Sequence, residues 1–193
     1  MLDLVSAALA FSAKAHDGMR RRKSEAPYIL HPMEVGVIIG SMTDNQEVIA
    51  AGILHDVVED AGITIEEIGE KFGPRVMELV AYETEDKREE LPPEETWYIR
   101  KAESLEKLKN TDDIEVLILW IGDNLSNIRA FYRVFLIEGD ALWNTFHQPD
   151  VNAQAWYYRS IMKYTERLSD TSAWKEYKML VEKIFGVEET KPI

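Results

Sequence analysis

Apolar residues recur at helical rather than alternating spacing along most of the chain. Leu2, Val5 and Leu9, with Ser12, share one face of a first segment, and Met33, Val37 and Ile38 repeat the pattern after Pro32. Residues 46–58 are apolar on most sides, which predicts a helix buried in the middle of a bundle. Thr64 and Glu67 have the spacing of a capping box. They open a short helix that stops near Phe72 and Gly73, and Pro74 suits the first turn of the next, which runs towards Glu83. Acidic residues and the Pro92, Pro93 pair make residues 85–95 an exposed charged loop leading into a helix over 93–109. Asp112 and Asp113 open a further helix, apolar through most of residues 114–128. Turns near Gly139 and Pro149 then set off two last helices over 151–168 and 173–185. No internal repeat and no alternating pattern bounded by hairpin turns interrupts this series. The expected fold is all-α, a single-domain helical bundle over residues 1–186 with a flexible tail over 187–193.

A length of 193 residues suits one domain with a sizeable core. The net charge of −13 argues against a surface that coats nucleic acid or anionic lipid, so any anionic ligand needs a local exception. There is no cysteine, which excludes disulfides, thiol catalysis and zinc–thiolate sites and is compatible with a reducing cytoplasm. The longest apolar run, residues 116–121, is far short of the ~20 residues needed to cross a bilayer. Residues 4–11 have the apolar character of an export signal, but Asp3 stands where positive charge belongs. No Lys or Arg precedes them, and they are expected to form the first helix of a cytoplasmic protein.

Charged groups inside apolar helices need a reason, because an unpaired buried charge costs several kcal/mol. His55, Asp56, Glu59 and Asp60 lie at the end of the 46–58 segment, and at ~100° per residue a continuous helix projects all four within an arc of about 140°. Asp123 and Asn127 form an i, i+4 pair on the apolar 114–128 segment, and His31 stands just before a helix start at Pro32. Two neutral imidazoles and two carboxylates, His31, His55, Asp56 and Asp123, suit an octahedral divalent metal with positions open to water. Ligand hardness favours Mn²⁺ or Fe²⁺, with Zn²⁺ possible.

These residues resemble the HD-type metal-dependent phosphohydrolases, and more finely the hydrolase domain of the RelA/SpoT alarmone family. Ala15 to Gly18, Arg22 to Ser24, Pro27 to Val35, Leu54 to Asp60 and Asp123 to Arg129 follow its motifs in order, and Trp156 to Arg159 looks like a later helix of the family. The chain is too short for the synthetase and regulatory domains of the long members and is similar to the stand-alone small alarmone hydrolases. The resemblance implies a Mn²⁺-dependent 3′-pyrophosphohydrolase acting on ppGpp and pppGpp. It carries over His31, His55, Asp56 and Asp123 as metal ligands, Glu59 and Asp60 as the pair that activates or orients the attacking water, and Arg22, Lys23 and Asn127 as substrate contacts. The residues agree with it: Glu59 and Asp60 are carboxylates left over from ligation, one turn from the metal, where a general base belongs. The four cations Arg20 to Lys23 supply the local exception that the net charge demands.

The chain departs from the family at Trp120, where many members have Lys, at Ala130, where Thr is common, and at Glu25 and Ala26, which replace the usual Gly-Glu. An extra residue between His16 and Lys23 leaves the arginine register open by one. Two other readings therefore stay open. One is an HD-type phosphohydrolase acting on NADPH or a nucleoside phosphate, and the other is a nucleotide-binding protein without turnover. The expected partner is a small nucleotide, with no nucleic acid and no membrane, and the oligomeric state is not legible. His16 and His147 are expected as structural or surface residues, Arg100 and Lys101 as a solvated helix face with reach to the substrate phosphates as the other reading, and Trp156, Tyr157 and Tyr158 mainly as core with one Tyr lining the pocket.

Overall fold

The computed structural model describes residues 3–21, 25–88 and 90–187. Among these the chain is helical, and its one β feature is an isolated bridge between Arg20 and Pro27. In chain order the α-helices are α1 (Leu4–Ala15), α2 (Leu30–Gly40), α3 (Gln46–Leu54), α4 (Val57–Ala61), α5 (Ile65–Phe72), α6 (Pro74–Glu83), α7 (Pro93–Asn110), α8 (Ile114–Glu138), α9 (Val151–Tyr164) and α10 (Ser172–Phe185). Short 3₁₀ turns follow α8 and α9. No helix is long and apolar enough to cross a membrane among the described residues.

The axis of the bundle is α8, which packs against α2, α3, α6 and α10. Val116 to Gly122 are all buried, so this helix is surrounded and its amphipathic period is lost. Asp113 caps it by accepting from the Glu115 N–H, and Arg75 of α6 reaches both Asp113 and Glu115. The backbones of α2, α3 and α8 meet around the fully buried Ile39. A Cβ at Gly122 would lie 2.5 Å from Ile39 Cγ1, and one at Gly52 would overlap Ile39 Cδ1. Glycine at these two positions lets the three helices that carry the candidate ligands approach one another.

The Thr64 capping box forms as expected, with the Glu67 N–H donating to Thr64 Oγ1 and the Thr64 N–H to Glu67 Oε2. Four expectations are corrected. The 46–58 helix stops at Leu54 and resumes as α4 at Val57, leaving His55 and Asp56 in a turn. His55 Nδ1 takes the Gly52 carbonyl that a continuing helix would offer to the Asp56 N–H. On α2 the buried face is His31, Val35, Ile38 and Ile39, whereas Met33 and Val37 point outward, 44% and 75% exposed. The 151–168 helix ends at Tyr164, where the Thr165 hydroxyl back-bonds to the Ile161 carbonyl. Finally, the 85–95 loop is not wholly solvated, because the Glu85 side chain turns inward with 12% exposure. Of the expected tail only Val187 lies within the described residues, non-helical and exposed.

Candidate metal centre

His31, on the first turn of α2, is held at Nδ1 by Ser126 Oγ of α8 at 2.8 Å. The Ser126 hydroxyl donates onward to Glu34 Oε2 at 2.9 Å, so His31 Nδ1 must be the donor and its Nε2 keeps the lone pair. His55 Nδ1 lies 2.8 Å from the Gly52 carbonyl, which only accepts, so in its neutral form this imidazole also carries its lone pair on Nε2. Both Nε2 atoms face the same two carboxylates. His31 Nε2 is 3.1 Å from Asp123 Oδ1 and 3.5 Å from Asp56 Oδ2; His55 Nε2 is 3.0 Å from Asp56 Oδ2 and 3.4 Å from Asp123 Oδ1. Tyr28 Oη donates to Asp56 Oδ2 at 2.7 Å and Asn127 Nδ2 to Asp123 Oδ1 at 2.8 Å, which aim the two carboxylates.

This donor set fits a divalent cation. One ligand atom each from His31, His55 and Asp123 lie within 4.8 Å of one another, and His55 Nε2 is buried with the Asp56 and Asp123 carboxylates beside it. The tautomers are fixed by outer hydrogen bonds, as in imidazole metal sites generally. Burial works against a charged His55, but the Asp56 and Asp123 carboxylates outweigh it and lift its pKa well above the ordinary value. A proton thus serves the cluster when no cation does, and a divalent ion would displace it.

The cluster forms the floor of a cavity of about 220 Å³. Glu59 lines it, with Oε1 accepting from the Glu85 N–H at 2.8 Å and Oε2 3.3 Å from Lys87 Nζ. Burial pushes the Glu59 carboxyl up. Asp60 is not on the cavity wall; it faces outward and binds Lys87 Nζ at 2.8 Å. Asn127 is on the wall, between Asp123 and Arg21 Nη2 at 3.0 Å. Arg22 and Lys23 lie outside the described residues. Their neighbour Arg21 reaches the cavity, its guanidinium 5.5 Å from the Tyr28 ring centroid. His16 is buried with Nδ1 on the Ser12 carbonyl and Nε2 without a hydrogen-bond partner, and His147 is on the surface.

Arg100 and Lys101 overturn the solvated-face expectation. Both line the cavity and grip the Glu85 carboxylate, which burial pushes up but Lys101 and Arg100 hold below its ordinary pKa. The signal was present, since both fall on the stripe marked by buried Trp97, Ser104 and Leu108. Glu83 also escaped notice. It lines the cavity with Oε2 buried and unpartnered, and burial together with Asp123 raises its pKa well above the ordinary value. It extends the apolar stripe of Val76, Leu79 and Val80, where an acid is out of place. Trp120 lines the cavity too, its Nε1 buried without a partner. Tyr157 and Tyr158 are buried, as expected, and both also line an adjoining lobe with Trp97, Phe131, Phe146 and Gln154.

Comparison with known proteins places this geometry. The HD domain family matches residues 8–138. A putative chloroplastic GTP diphosphokinase RSH1 of Arabidopsis thaliana is 38% identical over 136 residues, 67% of this chain and 15% of that protein. A guanosine-3′,5′-bis(diphosphate) 3′-pyrophosphohydrolase of Aquifex aeolicus is 34% identical over 120 residues, 62% of this chain and 17% of that protein. The matches thus span about a sixth of the length of these relatives. Among solved structures, lmo0812 from Listeria monocytogenes superposes with a TM-score of 0.71 at 32% identity, over 81% of this chain and 99% of that one. A metazoan ortholog of SpoT that hydrolyzes ppGpp has the same fold, with a TM-score of 0.76 at 21% identity over 97% and 98% of the two chains. With the family's match running through α2, the turn between α3 and α4, and α8, which carry His31, His55 with Asp56, and Asp123, the chain belongs to the HD domain family.

Proposed function

We propose that this chain is a metal-dependent phosphohydrolase that releases pyrophosphate from the 3′ position of ppGpp and pppGpp, with Mn²⁺ as its ion. One observation carries the reading. Two imidazoles held at Nδ1 by outer hydrogen bonds turn their Nε2 atoms onto two carboxylates that line one cavity. The guanosine substrate follows from the Aquifex relative and the order of the motifs.

His31, His55, Asp56 and Asp123 would hold the ion, which when bound supplies Lewis acidity to the scissile phosphoryl group and to the attacking water. Glu59 takes a proton from that water. Its raised pKa brings it closer to neutral pH, where a general base works best. Asp60 shares Lys87 with Glu59 and helps to hold it. The bond from phosphorus to the ribose 3′-oxygen breaks, that oxygen regains a proton, and pyrophosphate and GDP or GTP leave. Arg21, with Arg22 and Lys23 beside it, and Asn127 contact the nucleotide.

The test is release of pyrophosphate from ppGpp by protein stripped with chelator and reloaded with Mn²⁺, Fe²⁺ or Zn²⁺. Activity restored best by Mn²⁺ and lost in His55→Ala is expected. Trp120, with its unpartnered Nε1 in the cavity where many family members have Lys, favours a second substrate reading, another nucleotide at the same centre. NADPH and nucleoside phosphates belong in the same assay, and turnover of one of these without ppGpp would select that reading.

A further inference from the structure

One wall of the cavity carries charges that the hydrolytic centre does not use. Arg100 and Lys101, on that wall, and the buried Ser104, which does not line it, occupy positions i, i+1 and i+4 of α7 and converge on a single side chain. Arg100 Nη1 donates to Glu85 Oε2 at 2.8 Å, Lys101 Nζ to Glu85 Oε1 at 2.7 Å, and Ser104 Oγ to that same oxygen at 3.0 Å. Arg100 and Lys101 are only 14% and 22% exposed, so the chain spends burial of two cations on this wall. Lys101 lines both lobes of the cavity and lies 4.9 Å from the Tyr157 ring centroid.

A guanidinium, an ammonium and a hydroxyl aimed at two oxygens of one anion form a donor set that suits a phosphoryl group at least as well as a carboxylate. Two cations here meet one anion, in a chain whose net charge is −13. Glu85 also has a separate task for its backbone, whose N–H holds Glu59 whatever the side chain does.

We propose that Arg100, Lys101 and Ser104 form a second anion site, which takes a phosphate group of the nucleotide remote from the one hydrolysed, and that the Glu85 carboxylate fills it between turnovers as an intramolecular competitor. This rests on the cavity being the nucleotide site proposed above. It implies a substrate with two separate phosphorylated ends, one over the His and Asp cluster and one on α7.

The test is calorimetric titration of the metal-loaded protein with inorganic pyrophosphate, which needs no turnover. Glu85→Gln keeps the shape and the backbone N–H but removes the competing charge, and tightens pyrophosphate binding by about tenfold or more if one charge-assisted hydrogen bond is released. Arg100→Met with Lys101→Met weakens it by about 10²-fold or more. Ser104→Ala, which changes no charge and keeps the fold, weakens it several-fold and leaves the metal content unchanged. Binding within twofold of wild type in both Glu85→Gln and Ser104→Ala would show pyrophosphate on the metal alone and overturn the site. A wild-type protein that turns over no ppGpp but shows the expected binding series refutes the alarmone reading and leaves the anion site standing.

Discussion

Glu59 and Glu25 show how much one side chain decides. Glu59 is fixed at Oε1 by the Glu85 N–H and sits beside the ligand cluster without belonging to it. Glu59→Gln is therefore expected to retain fold and metal content while losing at least ~10²-fold in kcat, the usual scale of a general base. Metal analysis and single-turnover rates on the same preparation check this, and a normal kcat would remove Glu59 from the chemistry. Glu25 concerns stability. It adopts φ of 51°, in the left-handed region that costs a non-glycine residue roughly 1–2 kcal/mol. Glycine would relieve that strain but lose roughly 0.5–1 kcal/mol to its greater freedom in the unfolded chain. Relief is the larger effect, so Glu25→Gly is expected to raise the melting temperature by roughly 1–4 °C, given about 2–4 °C per kcal/mol at this size. A lower melting temperature would contradict it.

Helix contacts rather than single residues set the spacing of the candidate ligands. Ile39 is fully buried where α2, α3 and α8 meet, and Gly122 precedes Asp123 at that contact. An alanine at a helix interior normally stabilises by roughly 0.5–1 kcal/mol. Here its Cβ would fall 2.5 Å from Ile39 Cγ1 and 2.9 Å from Cδ1, and overpacking of this kind costs roughly 1–3 kcal/mol, so the clash wins. Gly122→Ala is expected to lower the melting temperature and to cut metal affinity about tenfold, as loss of ligand support typically does. Competition with a chelator of known affinity measures it, and stability lost with affinity kept would mean that α8 moves without Asp123. At this scale the sequence was a good guide wherever the signal was local. The Thr64 box, Pro74 at a first turn and Asp113 before α8 are each decided within four residues. The break at His55 was not legible, because it depends on a side chain taking its own helix's carbonyl while its other nitrogen serves residues from α8. The outward turn of Met33 and Val37 was hidden for a related reason, as only the packing partner decides which apolar stripe of α2 is buried.

For the whole molecule, the order of His31, His55, Asp56 and Asp123 along the chain pointed to the candidate centre, whereas the α7 stripe could mark Arg100 and Lys101 as inward-facing but not name Glu85 as their partner, which only the packing of α7 over the cavity supplies. The same centre ties stability to metal and to pH. An ion that binds only the folded chain adds about 2.7 kcal/mol when present at 100 times its dissociation constant, or roughly 5–11 °C in melting temperature for a chain of this size. Without the ion, His55 keeps a proton between Asp56 and Asp123, and its folded pKa lies well above the ordinary value near 6.5. A group raised in this way contributes stability that is full below about 6.5 and is lost as pH rises through the folded pKa. Asp56 and Asp123 shift the other way. Despite burial, which raises them, His55 and His31 hold both far below their ordinary values, so their contribution fades only in strong acid and does not enter this window. The stripped protein should therefore lose stability as pH rises above about 6.5, while the metal-loaded protein, whose His55 lone pair is engaged, should not. The gap between the two melting temperatures is thus expected to widen with pH, and calorimetry in buffers of different ionisation enthalpy should record proton release on metal binding below the folded pKa. His55→Ala should abolish both effects. A gap that stays constant with pH, or metal binding without proton release at pH 6.5, would mean that the ion does not take the place of the His55 proton.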